Sequence, residues 1–250
     1  TGTPREGSAR ARRRRRTERA GALEPARPKG APMKLIENVC LAAALLAASA
    51  GVACQADSGY AHSDATAERM EDLQESVREL GVKIESSVAS LSDVVASATS
   101  DPKPAFKRYK KELSAAQSAR AQCEKYFESI RTECQAYFTQ WEADMATVTD
   151  EDLRETADAR RKKLEQAIAR VSKSMETART ELDTFMTSLQ DMATFLGNDL
   201  SPTAIDSIES KSKKAKKDSE EIVDKLDELA QVLEKDAPQF RTASEPKPAA

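Results

Sequence analysis

Residues 164–196 read LEQAIARVSKSMETARTELDTFMTSLQDMATFL, and their apolar positions return at intervals of four and three without a slip. Leu164, Val171, Ala178, Phe185 and Met192 form one series of sevens, and Ile168, Met175, Leu182, Leu189 and Leu196 form a second. A seven-residue apolar repeat held for this long describes an α-helix with one narrow seam that other helices must cover. A strand alternates with period two and has no use for it. Gly197 follows the last apolar residue. It predicts that the helix stops there in a left-handed C-terminal cap, where a missing Cβ removes the steric penalty.

The same period extends to both sides. In a first helix over about 63–99, Met70, Leu73, Val77, Leu80, Ile84, Leu91, Val94 and Ala98 hold the register, with Ser87 as its one polar seam position. Asp101-Pro102-Lys103-Pro104 breaks it, because neither proline donates a helical hydrogen bond and each biases its predecessor away from α. A second helix over about 104–146 carries Phe106, Tyr109, Leu113, Ala116, Cys123, Phe127, Ile130, Cys134, Tyr137 and Trp141, with Arg120 at a seam position. That arginine is expected to snorkel to water rather than reach a carboxylate on a neighbouring helix. Thr149-Asp150-Glu151-Asp152 reads as a helix start, with a hydroxyl N-cap and acids in the first turn. Arg154 and Arg161 hold seam positions in the opening of this third helix, which is therefore expected to pack loosely or at the bundle's end. Ser201-Pro202 supplies the fourth with an N-cap and a first-turn proline. Ile205, Ile208, Ala215, Ile222, Leu226, Leu229 and Leu233 carry its seam, Ser212 and Ser219 weaken the middle, and Pro238 ends it.

Long helices joined by short turns run antiparallel to their sequence neighbours. The predicted fold is all-α: an elongated antiparallel helical bundle, or coiled coil, of about four long helices within one chain, over residues 63–236. Residues 54–62 are expected to form a linker and residues 237–250 a disordered tail.

Composition agrees with helices rather than a thick core: of 250 residues 32% are charged and 4% aromatic, and only 8 are Gly. The net charge of -3 hides two opposed parts. Residues 1–54 hold 11 Lys and Arg against 4 Asp and Glu, which leaves 28 against 38, a net of -10, for residues 55–250. So acidic a portion excludes a general affinity for nucleic acid or for an anionic membrane. Cys123 and Cys134 lie on one predicted helix, eleven residues or about 16 Å apart, too far to bridge each other. They are either small apolar members of the seam or half of a disulfide to another helix or subunit.

Residues 1–32 are rich in Arg, Pro, Gly and Ala, include the run Arg12–Arg16 and have no hydrophobic period. They are expected to be a disordered extension, absent from the mature protein. Met33 then opens MKLIENVCLAAALLAASAGVAC, with a cation at Lys34, an apolar run over 39–52 and small residues before Cys54. That is the layout of a secretory signal, residues 33–53, and its apolar run is too short to span a bilayer. Gly51-Val52-Ala53-Cys54 resembles a bacterial lipobox, which makes Cys54 a candidate for lipidation. Ordinary cleavage after Ala50 or Ala53 is the other reading. Gln55 carries no inner-membrane retention signal, so an anchored form is expected at the outer membrane, facing the periplasm.

Catalytic chemistry finds little to build on. The sole histidine, His62, is expected in a solvated segment ahead of the first helix, and no phosphate loop, HExxH, GxSxG, EF-hand or Cys/His metal spacing occurs. Neither an enzyme nor a cofactor is expected. Lys211, Lys213, Lys214, Lys216 and Lys217 read first as a solvated face with local ion pairs to Asp218, Glu220 and Glu221, and second as a patch for an anionic ligand. Tyr137, Phe138 and Trp141 are the densest aromatic cluster. They either fill a widened bundle end or form a surface for a partner protein, because three such rings cannot all face one narrow seam.

One family shares these features. Tyr137-Phe138-Thr139-Gln140-Trp141-Glu142-Ala143-Asp144-Met145, then Asp152-Leu153-Arg154, then Phe185 to Leu196 leading into Leu200 and Ala204-Ile205, resemble "LFxEWExEL", an "LR" helix start and "F-x-D-x-V-x-FLKHNLN-x-x-AI" in the bacterial envelope proteins grouped as domain of unknown function 2959. Gly197-Asn198-Asp199 departs from that pattern by replacing Lys-His-Asn. The resemblance implies a signal or lipoprotein leader, a long helical bundle and no established activity, so it transfers no catalytic residue. The chain is accordingly expected to be a non-enzymatic, secreted or lipid-anchored envelope protein with a structural or adaptor role, touching a membrane only through Cys54. The alternative is a periplasmic carrier of a lipid or small apolar ligand between its helices. Self-association is left open.

Overall fold

The computed structural model of the chain describes residues 59–241. Their order is α1 (Gly59–Ala96), α2 (Lys103–Met145), α3 (Glu151–Asn198), α4 (Pro202–Asp236) and a 3-10 turn (Ala237–Gln239), with no strand among the described residues. The expectations for residues 1–53, for Cys54 and for residues 242–250 fall outside the described residues. The helices hold 38, 43, 48 and 35 residues and run up, down, up, down. One end of the bundle therefore gathers the start of α1, the α2–α3 turn and the end of α4. The other gathers the α1–α2 and α3–α4 turns.

The heptad seam is the core. Of the ten seam residues in 164–196 nine are buried and Ile168 is half-buried, which fixes that face of α3 as the inner one. α1 packs closely on both α2 and α4, and α3 on α4, while α2 meets α3 more sparingly. Side-chain size accounts for the difference. Small groups meet between α1 and α2, with Ser76 Oγ 3.2 Å from Cys123 Sγ and Cys134 Sγ 3.9 Å from Thr66 Oγ1. Long ones bridge α2 to α3: the Tyr109 hydroxyl donates to the Leu189 carbonyl at 2.6 Å, and Gln117 Nε2 donates to Gln190 Oε1 at 2.9 Å. Arg120 corrects its expectation, since its guanidinium reaches Asp183 on α3 at 2.6 Å and Glu124 at 3.2 Å. The wide α2–α3 spacing brings a carboxylate within its reach, so it need not turn to water.

The helix ends obey local chemistry, with three differences from the sequence reading. α3 is capped by the Asp150 carboxylate, which accepts from the Leu153 N–H at 3.0 Å, and not by the Thr149 hydroxyl. Gly197 stays helical without a left-handed φ. The helix runs on to Asn198 and is capped by Asp199 with φ -143°, and polar side chains do what the glycine was expected to do. Asn198 Nδ2 donates to the Thr194 carbonyl at 2.9 Å, and Asp199 Oδ1 accepts from the Ser201 N–H at 2.9 Å. Thirdly, α1 begins at Gly59 and order continues past Pro238, so the described bundle extends beyond 63–236 at both ends. Ser201 caps α4 as expected, accepting from the Ala204 N–H at 3.3 Å. Residues 151–163 of α3 include no buried residue, as the seam arginines Arg154 and Arg161 implied.

Gly81 lies buried in mid-α1, where α4 comes close. A Cβ there would sit 3.9 Å from Val223 Cγ1, an ordinary contact. Gly81→Ala is thus expected to stabilise the bundle by about 0.5 to 1 kcal/mol through helix propensity alone, read as a higher midpoint in urea denaturation.

Candidate functional site

The end of the bundle where α1 begins holds the aromatic cluster. Tyr137, one heptad short of the α2 terminus, points into the seam and is 4% exposed. Phe138 and Trp141 are half-buried against the core. The Tyr137 and Trp141 rings meet edge-on, with centroids 5.4 Å apart, and Tyr137 and Phe138 lie tilted at 5.2 Å. Burial pushes the Tyr137 phenol above its ordinary pKa. The indole Nε1 of Trp141 is buried with no hydrogen-bond partner among the described residues. Arg161 of α3 closes the outer side: its guanidinium sits 5.8 Å from the Phe138 ring centroid and pairs with Glu142 at 2.6 Å and Glu165 at 2.9 Å. Core filling thus accounts for Tyr137, and the outer edges of Phe138 and Trp141 face the surface.

Two features of this end had no sequence signal strong enough to find them. His62 lies in the first turn of α1, not in a solvated linker, with Nδ1 3.1 Å from Glu133 Oε2 on α2. The chain beyond Asp236 folds back as a clasp instead of forming a disordered tail from 237. Phe240 is fully buried and its carbonyl accepts from Ser63 Oγ at 2.6 Å. Asp236 is also fully buried, gripped through both oxygens by Arg170 at 2.9 and 2.7 Å and by Gln239 Nε2 at 2.7 Å. Arg160 donates to the Gln239 carbonyl, and Arg241 reaches Glu71 at 2.8 Å. The bond to Asp236 holds the half-exposed Arg170 guanidinium above its usual pKa.

The lysine cluster on α4 is exposed throughout. Three of its five members are engaged along their own helix, Lys213 with Glu209 at 2.6 Å, Lys214 with Asp218, and Lys217 with Glu221 at 3.7 Å. Lys211 and Lys214 line an open groove of about 460 Å³ between α3 and α4, floored by Phe185 and Ile222. The bundle interior is far tighter. At its middle a cavity among Val77, Arg120, Cys123, Leu182 and Leu226 measures about 20 Å³, space for a single water.

Cys123 and Cys134 are free and buried in the α1–α2 contact. Burial pushes their thiols up to about 11 and about 12 respectively, so neither supplies a thiolate nucleophile at neutral pH. Native protein at pH 8 is expected to resist an aromatic disulfide reagent at both positions and to react at once in urea. Prompt native reaction would contradict the burial. The raised values favour the neutral thiols in the folded state. Their contribution to stability is therefore complete below the unfolded-state value of about 8.5 and declines as the pH rises from there.

Among the described residues no three His, Cys, Asp or Glu side chains gather as a metal site, and no helix is long and apolar enough to cross a membrane. The Cys54 candidate lies outside the described residues. Comparison with family models decides the membership: the model for a protein of unknown function, DUF2959, matches residues 53–237. The chain belongs to this family. The match spans all four helices and stops at the residue after α4, so the DUF2959 region of this protein is the bundle itself together with the few residues that lead into it. No curated protein and no solved structure matches the chain.

Proposed function

We propose that this DUF2959 protein is a non-enzymatic structural or adaptor component of the bacterial cell envelope, exported by the signal at 33–53 and held at a membrane through Cys54. The observation that carries the structural role is the continuous apolar seam of four helices, which leaves a cavity of only about 20 Å³ at its middle. Neither an acyl chain nor a substrate has room in that central cavity. A rod of this length, about 50 to 70 Å, suits spacing and docking instead.

The tether and the aromatic cluster belong to one end of the rod. Four residues lie between Cys54 and Gly59, a link of at most about 17 Å over five Cα steps, and a Cβ on Gly59 would sit 4.0 Å from Gln140 and Asp144 at the α2–α3 end. The partner surface at Phe138 and Trp141 would thus face the anchoring membrane, and the α1–α2 and α3–α4 turns would be held away from it. Radiolabelled palmitate tests the anchor: incorporation that disappears in Cys54→Ala supports it, and no incorporation refutes it. Crosslinking in intact cells, with a Trp141→Ala comparison, tests the docking face.

One observation favours the carrier alternative, the α3–α4 groove with its Phe185 and Ile222 floor and Lys211 and Lys214 at the rim. A carrier would melt at a higher temperature in the presence of lipid extract. A structural bundle would not shift.

A further inference from the structure

Among the described residues the lysines without an ion pair gather less on α4, where Lys213, Lys214 and Lys217 are paired, than on the exposed face of the first half of α2. Residues 103–125 hold seven Lys and Arg against two Glu, within a portion, residues 55–250, whose net charge is -10. Two of the seven are neutralised: Arg108 pairs with Asp93 at 2.9 Å, and Arg120 with Asp183 and Glu124. Lys103, Lys107, Lys111 and Lys125 are exposed without an ion-pair partner among the described residues, and Lys110 spends its charge only on the face of the Phe106 ring, 5.0 Å from its centroid. The α4 lysines differ in kind, because most of them are paired within their own helix.

This arrangement costs local stability. Lys103, Lys107 and Lys111 follow one another at steps of four and repel along one helical face. All of them crowd the N-terminal turns of α2, where the helix macrodipole already disfavours cations. A helix that keeps so unfavourable a charge pattern, with no ion pair on Lys103, Lys107 or Lys111 among the described residues, is offering those charges to something outside.

We propose that this face binds a linear polyanion whose charges repeat along a flexible chain and which carries no aromatic groups. Four ammonium groups fall within about 12 Å of helix, with Lys125 about 21 Å further on, and compact point charges suit a chain that needs no planar fork. The exposed large apolar residues of the bundle are Tyr60, Val82, Leu153 and Phe195, none of them on α2. The face therefore has no wedge to insert into a lipid surface and no ring on which a nucleic-acid base could stack. Acidic residues elsewhere on the bundle do not cancel the patch from a distance, because at physiological ionic strength charges are screened beyond about 8 Å. The proposal does not depend on the anchor at Cys54.

The test uses the full chain carrying Arg12→Gln through Arg16→Gln, so that the N-terminal run does not contribute, and follows labelled inorganic polyphosphate by fluorescence anisotropy at several salt concentrations. Combined Lys103→Gln, Lys107→Gln, Lys110→Gln and Lys111→Gln is expected to weaken binding at least about tenfold and to flatten the salt dependence. The matching change at Lys211, Lys213, Lys214, Lys216 and Lys217 should alter it less than about twofold, because most of those charges are already paired. Competition by polygalacturonate would extend the class to carboxylate polymers, and failure to compete would restrict it to phosphate. The thermal midpoint of the α2 variant should stay level or rise as the repulsion is relieved. The proposal is overturned by absence of binding at low salt, by equal losses in the two variants, by a lowered midpoint in the α2 variant, or by tighter binding to phosphatidylglycerol vesicles or single-stranded DNA than to polyphosphate.

Discussion

Leu189→Asp is expected to remove most or all of the stability of the bundle. Leu189 is fully buried in the α3 seam, and its backbone carbonyl already accepts the Tyr109 hydroxyl. The substitution removes a buried leucine, a loss of about 2 to 5 kcal/mol by itself, and puts a carboxylate at a fully buried seam position. The combined cost, about 5 kcal/mol or more, equals the whole stability of many domains. Leu182→Asp, one heptad earlier on the same face, is expected to cost less. Leu182 lines the small central cavity together with Arg120 and Arg179, so a carboxylate there finds guanidinium groups close by. The two variants should also separate with pH. An unpaired carboxyl introduced at position 189 would be held neutral in the folded state, its pKa raised by burial. The Leu189→Asp protein should therefore be least unstable below the unfolded carboxylate value of about 3.9 and lose stability as the pH rises. Urea denaturation followed by far-UV circular dichroism measures both midpoints. Equal losses at 182 and 189 would remove the role given to the central arginines.

The legible part of this fold was the part that obeys a period. The seam of α3 could be read residue by residue because burial selects apolar side chains every three or four positions, and nine of its ten members are buried. Proline and serine at 102, 104, 201 and 202 marked the turns through backbone chemistry that is local to those residues. Features that join distant parts of the chain left no such trace. Nothing near Arg120 in sequence says that Asp183 will face it, since the pairing depends on how far α2 stands from α3, which aromatic and other long side chains set. His62 looked solvated because Glu133, its partner, lies 71 residues away. Gly197 misled because a glycine after an apolar run is a common helix stop, whereas here Asn198 and Asp199 satisfy the terminal groups through their side chains. The aromatic cluster was divided: the heptad placed Tyr137 and Trp141 on the seam, and only three-dimensional packing shows that Tyr137 is buried while Trp141, like Phe138, is half-buried. The basic face of α2 was countable in the sequence. Its meaning was not, because only the ion-pair geometry separates its unpaired lysines from the paired ones of α4.

Phe240→Ala is the second large effect, and it tests the segment that sequence reading gave up as tail. A single aromatic residue after Asp236-Ala237-Pro238-Gln239 carries no period, so its complete burial follows only from tertiary structure. Truncating a buried phenylalanine costs about 3 to 5 kcal/mol. The lower figure applies here, because a site at the end of a bundle can partly collapse. In a domain of this size about 3 kcal/mol lowers the thermal midpoint by about 6 to 12 °C. The exposed Phe195, 45% accessible, serves as the control and should change stability by no more than about 0.5 kcal/mol when replaced by alanine. The loss at 240 should be concentrated locally. Ser63 donates to the Phe240 carbonyl and Arg241 reaches Glu71, so the first turns of α1 are held by the clasp as well as by α2, and their amides should exchange faster with deuterium in the variant than those of the α3 seam. Asp236→Ala should reproduce part of this effect from the other side, since it frees Arg170 and Gln239 together. Because half of the Arg170 side chain already meets water, the freed guanidinium is solvated, and the cost is about 1 to 3 kcal/mol, the range for charge-assisted hydrogen bonds. The double variant should fall short of the sum, because both residues fix the same turn. Full additivity would mean that Asp236 and Phe240 act on separate parts of the bundle. An unchanged midpoint in Phe240→Ala would mean that α1 is held at its start by α2 alone, and the clasp would then have no part in steadying the helix that leads out to Cys54.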